Sequence, residues 1–333
     1  MSCLTSIYDV LNCFASLSTI DPGIPPDSPF EVTLVGAGST PITTASGLKV
    51  SEHRSLQSVT RTDIVIVPSL LVRDRAWVPG RYPELVAWLA AMHRKGAILC
   101  SACSGVLLLA ETGLLDGQDV TIHWAYTRTF QENFPRARLQ VARALVASGK
   151  NQEFVMSGAS ASWHDLILYL IARYVGPAAA QAITRFLMLE WHRDGQAPYV
   201  MFQEPAGHHD VVVSEAQRWL REHHSVANPV EELVKRSGVA ERSFKRRFKQ
   251  ATGWAPIAYV QRLRIEDAKR RLEQTDASIE EISWKVGYED AAFFRRLFRR
   301  VVGLPPGAYR RKFRLPAATK PPAVPPRFGA LRA

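Results

Sequence analysis

Hydrophobic positions follow two different patterns along this chain of 333 residues. Up to about residue 200, short apolar runs typical of buried parallel strands alternate with longer amphipathic segments typical of helices. The predicted strands lie at 30–35, 63–68, 97–100, 120–122 and 154–156, and the predicted helices at 7–14, 82–94, 105–111, 163–174 and 177–192. This alternation predicts an open α/β sheet with helices on both faces, in which ligands bind at the carboxyl ends of the strands.

Beyond about residue 211 the pattern is helical, and one stretch of sequence occurs twice. Residues 244–259 (FKRRFKQATGWAPIAY) and 294–309 (FRRLFRRVVGLPPGAY) align at a constant offset of 50 positions. The matched residues include Phe244/Phe294, Phe248/Phe298, Gly253/Gly303, Pro256/Pro306 and Tyr259/Tyr309. Each copy follows a short amphipathic segment that ends in glycine, at 229–238 and 278–287. A short helix, a glycine turn and a second helix form a helix-turn-helix unit, so the repeat predicts two such units.

The second helix of each copy carries aromatic residues on one face and charged residues on the others. We place these two recognition helices at about 240–250 and 290–300, with a long linking helix between them at 257–272. Arginine on such a helix contacts phosphates or binds guanine edges in the major groove. The candidate DNA-binding residues are Glu241, Arg242, Lys245, Arg246 and Lys249 in the first copy, and Asp290, Ala292, Arg295, Arg296 and Arg299 in the second.

The charge distribution supports binding to nucleic acid. Residues 211–333 contain 26 Lys and Arg against 13 Asp and Glu, a net charge of +13, whereas residues 1–210 contain 16 against 18. A surplus of positive charge confined to one end of the chain is the expected electrostatic signature of a nucleic-acid-binding domain. The alternative is a helical-hairpin repeat whose cations only form a solvated face, and that alternative does not explain the segregation of charge.

Residues 212–314 resemble the DNA-binding domain of the AraC/XylS family of bacterial transcription regulators. The second copy carries the residues typical of that family, namely Ile282, Val286, Gly287, Tyr288, Phe293, Phe294, Arg295, Arg296, Phe298, Arg299, Gly303, Pro306, Tyr309 and Arg310. The resemblance implies two helix-turn-helix units that enter successive major grooves of double-stranded DNA, about 34 Å apart. It also implies activation through recruitment of RNA polymerase, although the residues themselves leave repression open.

In the first region, the predicted strand at 97–100 runs through a tight turn straight into a helix, and Cys103 lies in that turn. This arrangement predicts a nucleophile elbow, in which the helix N-terminus lowers the pKa of the thiol and favours anions. His123 follows the strand at 120–122, so it forms a candidate catalytic or ligand-binding pair with Cys103. Asp165 is placed either to orient His123 or to cap its own helix. Cys103 has three possible roles: lining an effector pocket, shaping the turn, or nucleophilic catalysis.

This first region resembles the ThiJ/PfpI type of class I glutamine-amidotransferase-like domain. The residues that carry the resemblance are Cys103, Ser104, Gly105, Leu109, Ala110, Glu111, Gly113, Leu114, Leu115, Asp116, Gly117, Thr121, Ile122, His123 and Trp124, with weaker support from Ser157, Gly158, Ala159, Ser160, Asp165, Leu166, Asp194, Gly195 and Gln196. Together with the C-terminal resemblance, the chain is similar to the GlxA type of AraC regulators over residues 4–314. The resemblance implies a flavodoxin-like open parallel sheet and a small-molecule effector. The candidate effector-binding residues are Cys103, Ser104, His123, Trp124 and Asp165.

One departure from that family concerns the beginning of the chain. Family members start with a strand and a loop before the helix predicted here at 7–14, and enzymatic relatives place an acidic residue of that segment near the cysteine. Here Met1 comes just before the helix, so we expect the first strand of the sheet and the acidic residue to be missing. Because a lost strand exposes a sheet edge, we expect the assigned start to be late.

We therefore expect an α/β sensor and dimerisation domain at 1–202, a linker at 203–211, a double helix-turn-helix domain at 212–314 and a proline-rich disordered tail at 315–333. Sparse cysteines, no membrane-length apolar run and no signal peptide are typical of a cytoplasmic protein. No metal site or cofactor is expected, since the CxxC at 100–103 lacks a second close Cys/His pair. The expected function is a homodimeric, effector-responsive transcription regulator that binds DNA. The alternative is a cysteine-dependent hydrolase or hydratase of the ThiJ/PfpI type with a DNA-binding appendage.

Overall fold

A computed structural model of the chain describes residues 3–38, 41–44, 47–51, 53–72, 75–205 and 207–315, so the predicted tail lies outside the described residues from 316 onward. The chain divides into two compact units, Met1–Val200 and Met201–Ala333. The helices of the first unit are α1 (Cys3–Asn12), α2 (Phe14–Ser18), α3 (Pro83–Arg94), α4 (Val106–Ala110), α5 (Thr127–Asn133), α6 (Trp163–Tyr174) and α7 (Pro177–Phe186). Its strands are β1 (Val35–Gly36), β2 (Ile42–Thr43), β3 (Lys49–Val50), β4 (Arg54–Ser55), β5 (Ile64–Val67), β6 (Ile98–Ala102), β7 (Asp119–Val120), β8 (Arg138–Leu139), β9 (Leu145–Ser148) and β10 (Phe154–Ser157).

The first unit is built on a four-stranded sheet with the order β5–β6–β10–β9. Strands β5, β6 and β10 are parallel, which confirms the predicted flavodoxin-like α/β class, whereas β9 pairs antiparallel with β10. The antiparallel edge was not predicted. It follows from the connection at 149–153, which is too short for the crossover that a parallel pair needs.

Both faces of the sheet are covered by helices. Neighbouring residues of β6 point to opposite sides: Cys100 packs with α1, α6 and α7, whereas Leu99 packs with α3, α4 and α5. In β10, Val155 packs on the same side as Cys100, and Phe154 packs on the same side as Leu99. Burial on both faces explains why these strands read as continuous apolar runs rather than as alternating ones.

Several predicted elements of the first unit differ in the structure. Of the strand predicted at 120–122, only Val120 is in a strand, β7, which pairs with β8 outside the four-stranded sheet. Of the strand predicted at 30–35, only Val35 pairs with a neighbouring strand, as part of β1, whereas the apolar Phe30 and Val32 pack onto the core without joining a ladder. The helix predicted at 177–192 ends at Phe186. The first helix begins earlier than predicted, at Cys3, and within the described residues no strand precedes it or pairs with the outer edge of β5.

The second unit is helical and contains both predicted helix-turn-helix units. Its helices are α8 (Val211–His223), α9 (Pro229–Ser237), α10 (Glu241–Thr252), α11 (Pro256–Gln274), α12 (Ile279–Lys285), α13 (Ala291–Val302) and α14 (Pro306–Phe313). The pairs α9–α10 and α12–α13 are the two units, and α11 is the predicted linking helix. Both recognition helices end alike, because Gly253 and Gly303 each adopt the left-handed conformation that closes a helix.

The repeated aromatic residues form two matching cores. Phe244 and Phe248 are fully buried with Tyr259 in the first, and their repeat partners Phe294, Phe298 and Tyr309 are buried in the second. The edge-to-face contacts are also repeated: Phe248 to Tyr259 has ring centroids 5.2 Å apart, and Phe298 to Tyr309 5.5 Å. The offset in the sequence therefore corresponds to a duplicated three-dimensional unit.

The segment predicted as a linker, 203–211, is bonded to the second unit. The Tyr259 hydroxyl donates to Glu204 at 2.8 Å, and Arg247 donates two hydrogen bonds to Asp210, each of 2.9 Å. Asp210 also caps α8 by accepting from the backbone N–H of Val213. Among the described residues, no helix has the length and apolar character needed to cross a membrane.

Candidate DNA-binding surface and the site at Cys103

The two recognition helices present most of the predicted DNA-binding residues to solvent. Along α10, Glu241, Arg242, Lys245, Arg246 and Lys249 are exposed around the buried Phe244 and Phe248. Along α13, Ala292, Arg295, Arg296 and Arg299 are exposed around the buried Phe294 and Phe298. The alternation of aromatic and cationic residues in the sequence therefore becomes an apolar face on the core and a positive face toward solvent.

Several predicted contact residues already have partners in the protein. Lys245 pairs with Glu241 and Arg295 with Glu280, while Arg296 lies 4.0 Å from Asp290. Within the described residues, no ion pair is formed by Arg242, Arg246, Lys249 or Arg299. A paired cation must exchange its partner before it binds phosphate, so the unpaired cations are the better placed for direct contacts.

Asp290 has a structural role that its position in the sequence explains. Its carboxylate accepts hydrogen bonds from the backbone N–H groups of Ala292 at 2.7 Å and Phe293 at 3.1 Å, so it caps α13. These bonds hold the pKa of the Asp290 carboxyl below its usual value, and it therefore stays ionised. Asp290 fixes the start of the recognition helix rather than offering a free carboxylate to a base.

The predicted elbow at Cys103 is present. Cys103 follows β6 directly and adopts a φ of 55°, a left-handed conformation that non-glycine residues rarely take. A Cβ at Gly105 would lie 2.5 Å from the carbonyl oxygen of Val67 and 2.6 Å from that of Pro68, so only glycine fits two residues after the cysteine. The turn is thus held closely against the end of β5.

The thiol of Cys103 lies among small polar groups that come from neighbouring strand ends. Its Sγ lies 3.8 Å from the hydroxyl of Ser160, which follows β10. Ser69, which follows β5, also interacts with the thiol, and the Ser69 hydroxyl lies 3.3 Å from Sγ of Cys3. Burial raises the pKa of the Cys103 thiol, so the predicted lowering by the helix N-terminus is wrong. Desolvation of the thiolate outweighs the few hydrogen bonds that favour it.

His123 and Cys103 do not form the hydrogen-bonded pair that the catalytic alternative needs. The Nδ1 atom of His123 accepts a hydrogen bond of 3.1 Å from the backbone N–H of Ala125, and burial lowers the pKa of the imidazole. A neutral ring with Nδ1 as acceptor carries its proton on Nε2, so it has no free nitrogen to accept the proton of a thiol. Within the described residues, no hydrogen bond joins His123 to Cys103.

An aromatic group surrounds His123. Its ring lies 5.1 Å from that of Trp124 and 6.0 Å from that of Tyr126. Burial, with a smaller contribution from Cys103, raises the pKa of the Tyr126 hydroxyl, whereas Arg75 lowers it. Sequence reasoning did not assign Tyr126, Ser160, Ser69 or Cys3 to this site. The last three lie in distant segments that only the folded sheet brings close to Cys103.

Two other predicted effector residues have structural contacts instead. The hydroxyl of Ser104 accepts from the backbone N–H of Leu70 at 2.9 Å and donates to its carbonyl at 2.7 Å. Asp165 neither orients His123 nor caps its own helix. Its carboxylate accepts from the backbone N–H of His192 at 2.9 Å and lies 2.7 Å from Nδ1 of the same residue. This contact fixes the segment after α7. The predicted helix does not reach residue 192 because the backbone turns left-handed at Met188, with a φ of 52°.

The same contact brings together three side chains of the types that bind metals, a group that the sequence did not suggest. Ligand atoms of His164, Asp165 and His192 lie within 4.8 Å of one another. Such a group could hold a transition metal ion, but its atoms already have partners in the protein: Nε2 of His164 lies 2.8 Å from the carbonyl oxygen of Glu190, and Asp165 is bonded to His192. These three side chains therefore form a hydrogen-bonded cluster that holds the segment after α7 against α6.

Gln196, part of the weaker family motif, also has a structural role. Its side-chain amide donates within a buried cluster of oxygens that includes Thr121 Oγ1 at 3.1 Å and the carbonyl of Arg143 at 3.0 Å. A Cβ at Gly158 would lie 2.0 Å from the Gln196 amide nitrogen. The motif thus joins the strand that precedes His123 to the end of β10.

The duplicated helix-turn-helix unit and the covered α/β sheet with a cysteine elbow define a two-domain regulator that binds DNA. A helix-turn-helix domain family matches residues 233–312, and the DJ-1/PfpI family matches residues 26–151. The HTH-type transcriptional regulator CdhR of Pseudomonas aeruginosa is 30% identical over 297 residues, which cover 87% of this chain and 85% of CdhR. The chain therefore belongs to the AraC/XylS family of HTH-type transcriptional regulators, in its GlxA type.

The chain is also similar to two further proteins. The HTH-type transcriptional regulator GlxA of Rhizobium meliloti is 26% identical over 237 residues, covering 67% of this chain and 68% of GlxA. A crystal structure of an AraC family transcriptional regulator from Pseudomonas putida is 22% identical, covers 55% of this chain and 90% of that chain, and has a TM-score of 0.45. CdhR and GlxA carry the names of transcription regulators rather than of enzymes, and regulation of transcription is the activity of this chain.

Proposed function

We propose that this regulator activates transcription in the cytoplasm, as a homodimer, when a small molecule binds its α/β unit. The boundaries we assign are a sensor domain at 1–202, a connecting segment at 203–211 and a DNA-binding domain at 212–314. RNA polymerase is the proposed partner of the DNA-bound form. An effector shifts such a protein only if it binds two arrangements with different affinity, so the effector site and the DNA contacts must be coupled.

The observation that supports the DNA-binding half most directly is the duplicated core with its unpaired cations. Two equivalent helices, α10 and α13, each expose positive side chains from a rigid aromatic core. Two such helices in successive major grooves bind two short elements about one helical turn apart. Arg242 and Arg246 on α10 and Arg299 on α13 are the proposed direct contacts, and Lys245 and Arg295 are contacts that must first leave Glu241 and Glu280.

The proposed DNA binding can be tested with fragmented genomic DNA. At physiological salt, the full-length protein is expected to retain a few fragments that share two half-elements about one helical turn apart. Sequencing of the retained fragments measures this directly, and the genes beside them indicate the class of effector. Uniform retention with a steep salt dependence would instead show a protein that binds DNA without sequence preference.

For the effector site, we propose the edge of the sheet where Cys103 and the aromatic group around His123 lie. The supporting observation is that three neighbouring strand ends place small polar groups at the elbow, which is where α/β sheets bind ligands. Replacement of Cys103 by alanine is proposed to change the effector response while it leaves DNA binding intact.

A second candidate function, a cysteine-dependent hydrolase or hydratase, is favoured by one observation, the left-handed elbow at Cys103. The protonation states oppose it, because the raised pKa of the thiol and the Nδ1 hydrogen bond of His123 leave neither an activated nucleophile nor a base.

Thiol labelling separates the two functions. With Cys3, Cys13 and Cys100 replaced by serine, Cys103 is expected to react with iodoacetamide more slowly at pH 7.5 in the folded protein than after denaturation, because only the thiolate reacts and burial raises its pKa. The folded rate should keep rising above pH 9, where a free cysteine begins to level off. Fast labelling at neutral pH together with turnover of an ester or amide substrate would support the enzyme.

A further inference from the structure

We propose that Arg264 is a positioning residue that fixes the separation of the two recognition helices and so sets the spacing between the DNA half-elements. Arg264 lies in the middle of α11 and is only 6% exposed. Val260, a turn earlier, belongs to the first core, and Ile265 belongs to the second. Arg264 therefore lies where the two helix-turn-helix copies meet.

The guanidinium group of Arg264 binds backbone carbonyls of two segments, namely the connection that leads into the first copy and the turn of the second copy. It donates to the carbonyls of His224 and Val226, each at 2.7 Å, in the connection between α8 and α9. It also donates to the carbonyl of Gly287 at 2.8 Å, in the turn between α12 and α13. Cζ of Arg264 lies 4.8 Å from the centroid of the Tyr288 ring. One side chain thus ties the connection that leads into the first copy to the turn of the second.

The cost of burying a charge makes this junction well defined. Within the described residues, no carboxylate forms an ion pair with Arg264, so the three carbonyls and the aromatic ring replace its water shell. An arginine that lost one of these carbonyls would be left partly unsolvated in a buried site. The two copies are therefore expected to move together rather than to pivot about α11.

The turn glycines of the two copies differ in a way that points to the same junction. Both Gly238 and Gly287 have positive φ, 62° and 93°. A Cβ added at Gly238 meets nothing within 4 Å, whereas a Cβ at Gly287 would lie 2.4 Å from the carbonyl oxygen of Ser225 and 2.9 Å from Cζ of Arg264. The turn of the second copy is packed against the α8–α9 connection, whereas the turn of the first copy has no such contact.

The functional consequence, which rests on the proposed binding to two half-elements, concerns spacing. A rigid junction lets both recognition helices bind at once only when the elements have one separation along the duplex. A loosened junction tolerates other separations, but the second helix then binds with a lower effective concentration. Loss of the junction should therefore lower affinity for the correct spacing more than for a shifted one.

The test uses the matched variants Gly287→Ala and Gly238→Ala in the full-length protein, with Arg264→Lys as a second disruption of the junction. Labelled duplexes carry the two recovered half-elements at the natural spacing or with two base pairs inserted. The readout is the ratio of the two dissociation constants for each protein, which does not change if part of a preparation is unfolded. Wild type and Gly238→Ala should prefer the natural spacing by about tenfold or more, and Gly287→Ala and Arg264→Lys by less than about threefold.

The outcomes separate this inference from the function on which it rests. If the wild-type protein shows no preference for either duplex over random DNA, binding to two half-elements is itself refuted. If the wild type has a spacing preference and Gly287→Ala and Arg264→Lys keep it, only the role of the junction is overturned. An equal loss in Gly238→Ala would assign the effect to strain in a turn rather than to the contact with Arg264.

Discussion

Replacement of Phe298 by alanine is expected to lower the free energy of unfolding of the DNA-binding unit by about 3–5 kcal/mol. The side chain is fully buried against Phe294 and Tyr309 in the second core. Its removal forfeits the transfer free energy of an aromatic ring and leaves a cavity that the short surrounding helices can fill only in part. A loss of this size approaches the whole stability of a small domain.

Thermal denaturation followed by circular dichroism measures this loss. The matched control is Phe293→Ala on the same helix, since Phe293 is 39% exposed and should cost far less. Phe294→Ala, and Phe248→Ala in the first copy, should behave like Phe298→Ala because their environments are repeated. A melting temperature close to that of the wild type for Phe298→Ala would overturn the assignment of these aromatic residues to the core.

The second large effect concerns Arg242 on the first recognition helix. Arg242→Ala is expected to weaken binding to the specific site by about 1–3 kcal/mol, roughly 5- to 150-fold, if the side chain binds a base edge. Arg242 is exposed near the start of α10, where residues of a recognition helix reach the bases, and it forms no ion pair within the described residues. Arg242 therefore has no ion-pair partner to release among the residues that the structure describes.

Dissociation constants for the specific site and for random DNA of equal length, at one salt concentration, test this prediction. The control is Arg128→Ala, which removes the same charge from an exposed arginine that belongs to the α/β unit. An equal loss on both DNAs would show that Arg242 binds phosphate rather than a base. No loss on either would remove it from the interface.

The DNA-binding unit could be predicted almost completely because its signals are local and repeated. Aromatic residues four positions apart define one helical face. The same spacing recurs fifty positions later and predicts a second helix of the same kind. Gly253 and Gly303 mark the helix ends for a reason that involves only their own backbone. What the pattern could not show was pairing between side chains, such as Arg295 with Glu280 on another helix.

At Cys103, the sequence predicted the conformation of the turn but not the protonation of the thiol. A strand that runs directly into a helix forces a tight turn, so the elbow followed from the sequence. The pKa of the thiol depends on how deeply the turn is buried, and no local pattern reports that depth. Asp165 shows the same limit, because its partner His192 lies 27 positions away and is brought close only by the fold.

The segment before α8 has a practical consequence for anyone who wishes to study DNA recognition by itself. A polypeptide trimmed to begin at residue 212, the start predicted from the sequence for the DNA-binding domain, would lack Glu204 and Asp210. The buried hydroxyl of Tyr259 would lose its acceptor and Arg247 its only ion-pair partner among the described residues, while α8 would lose its cap. An excised domain should therefore start near Met201, and one cut closer to the apparent boundary would aggregate or melt early for reasons unrelated to DNA.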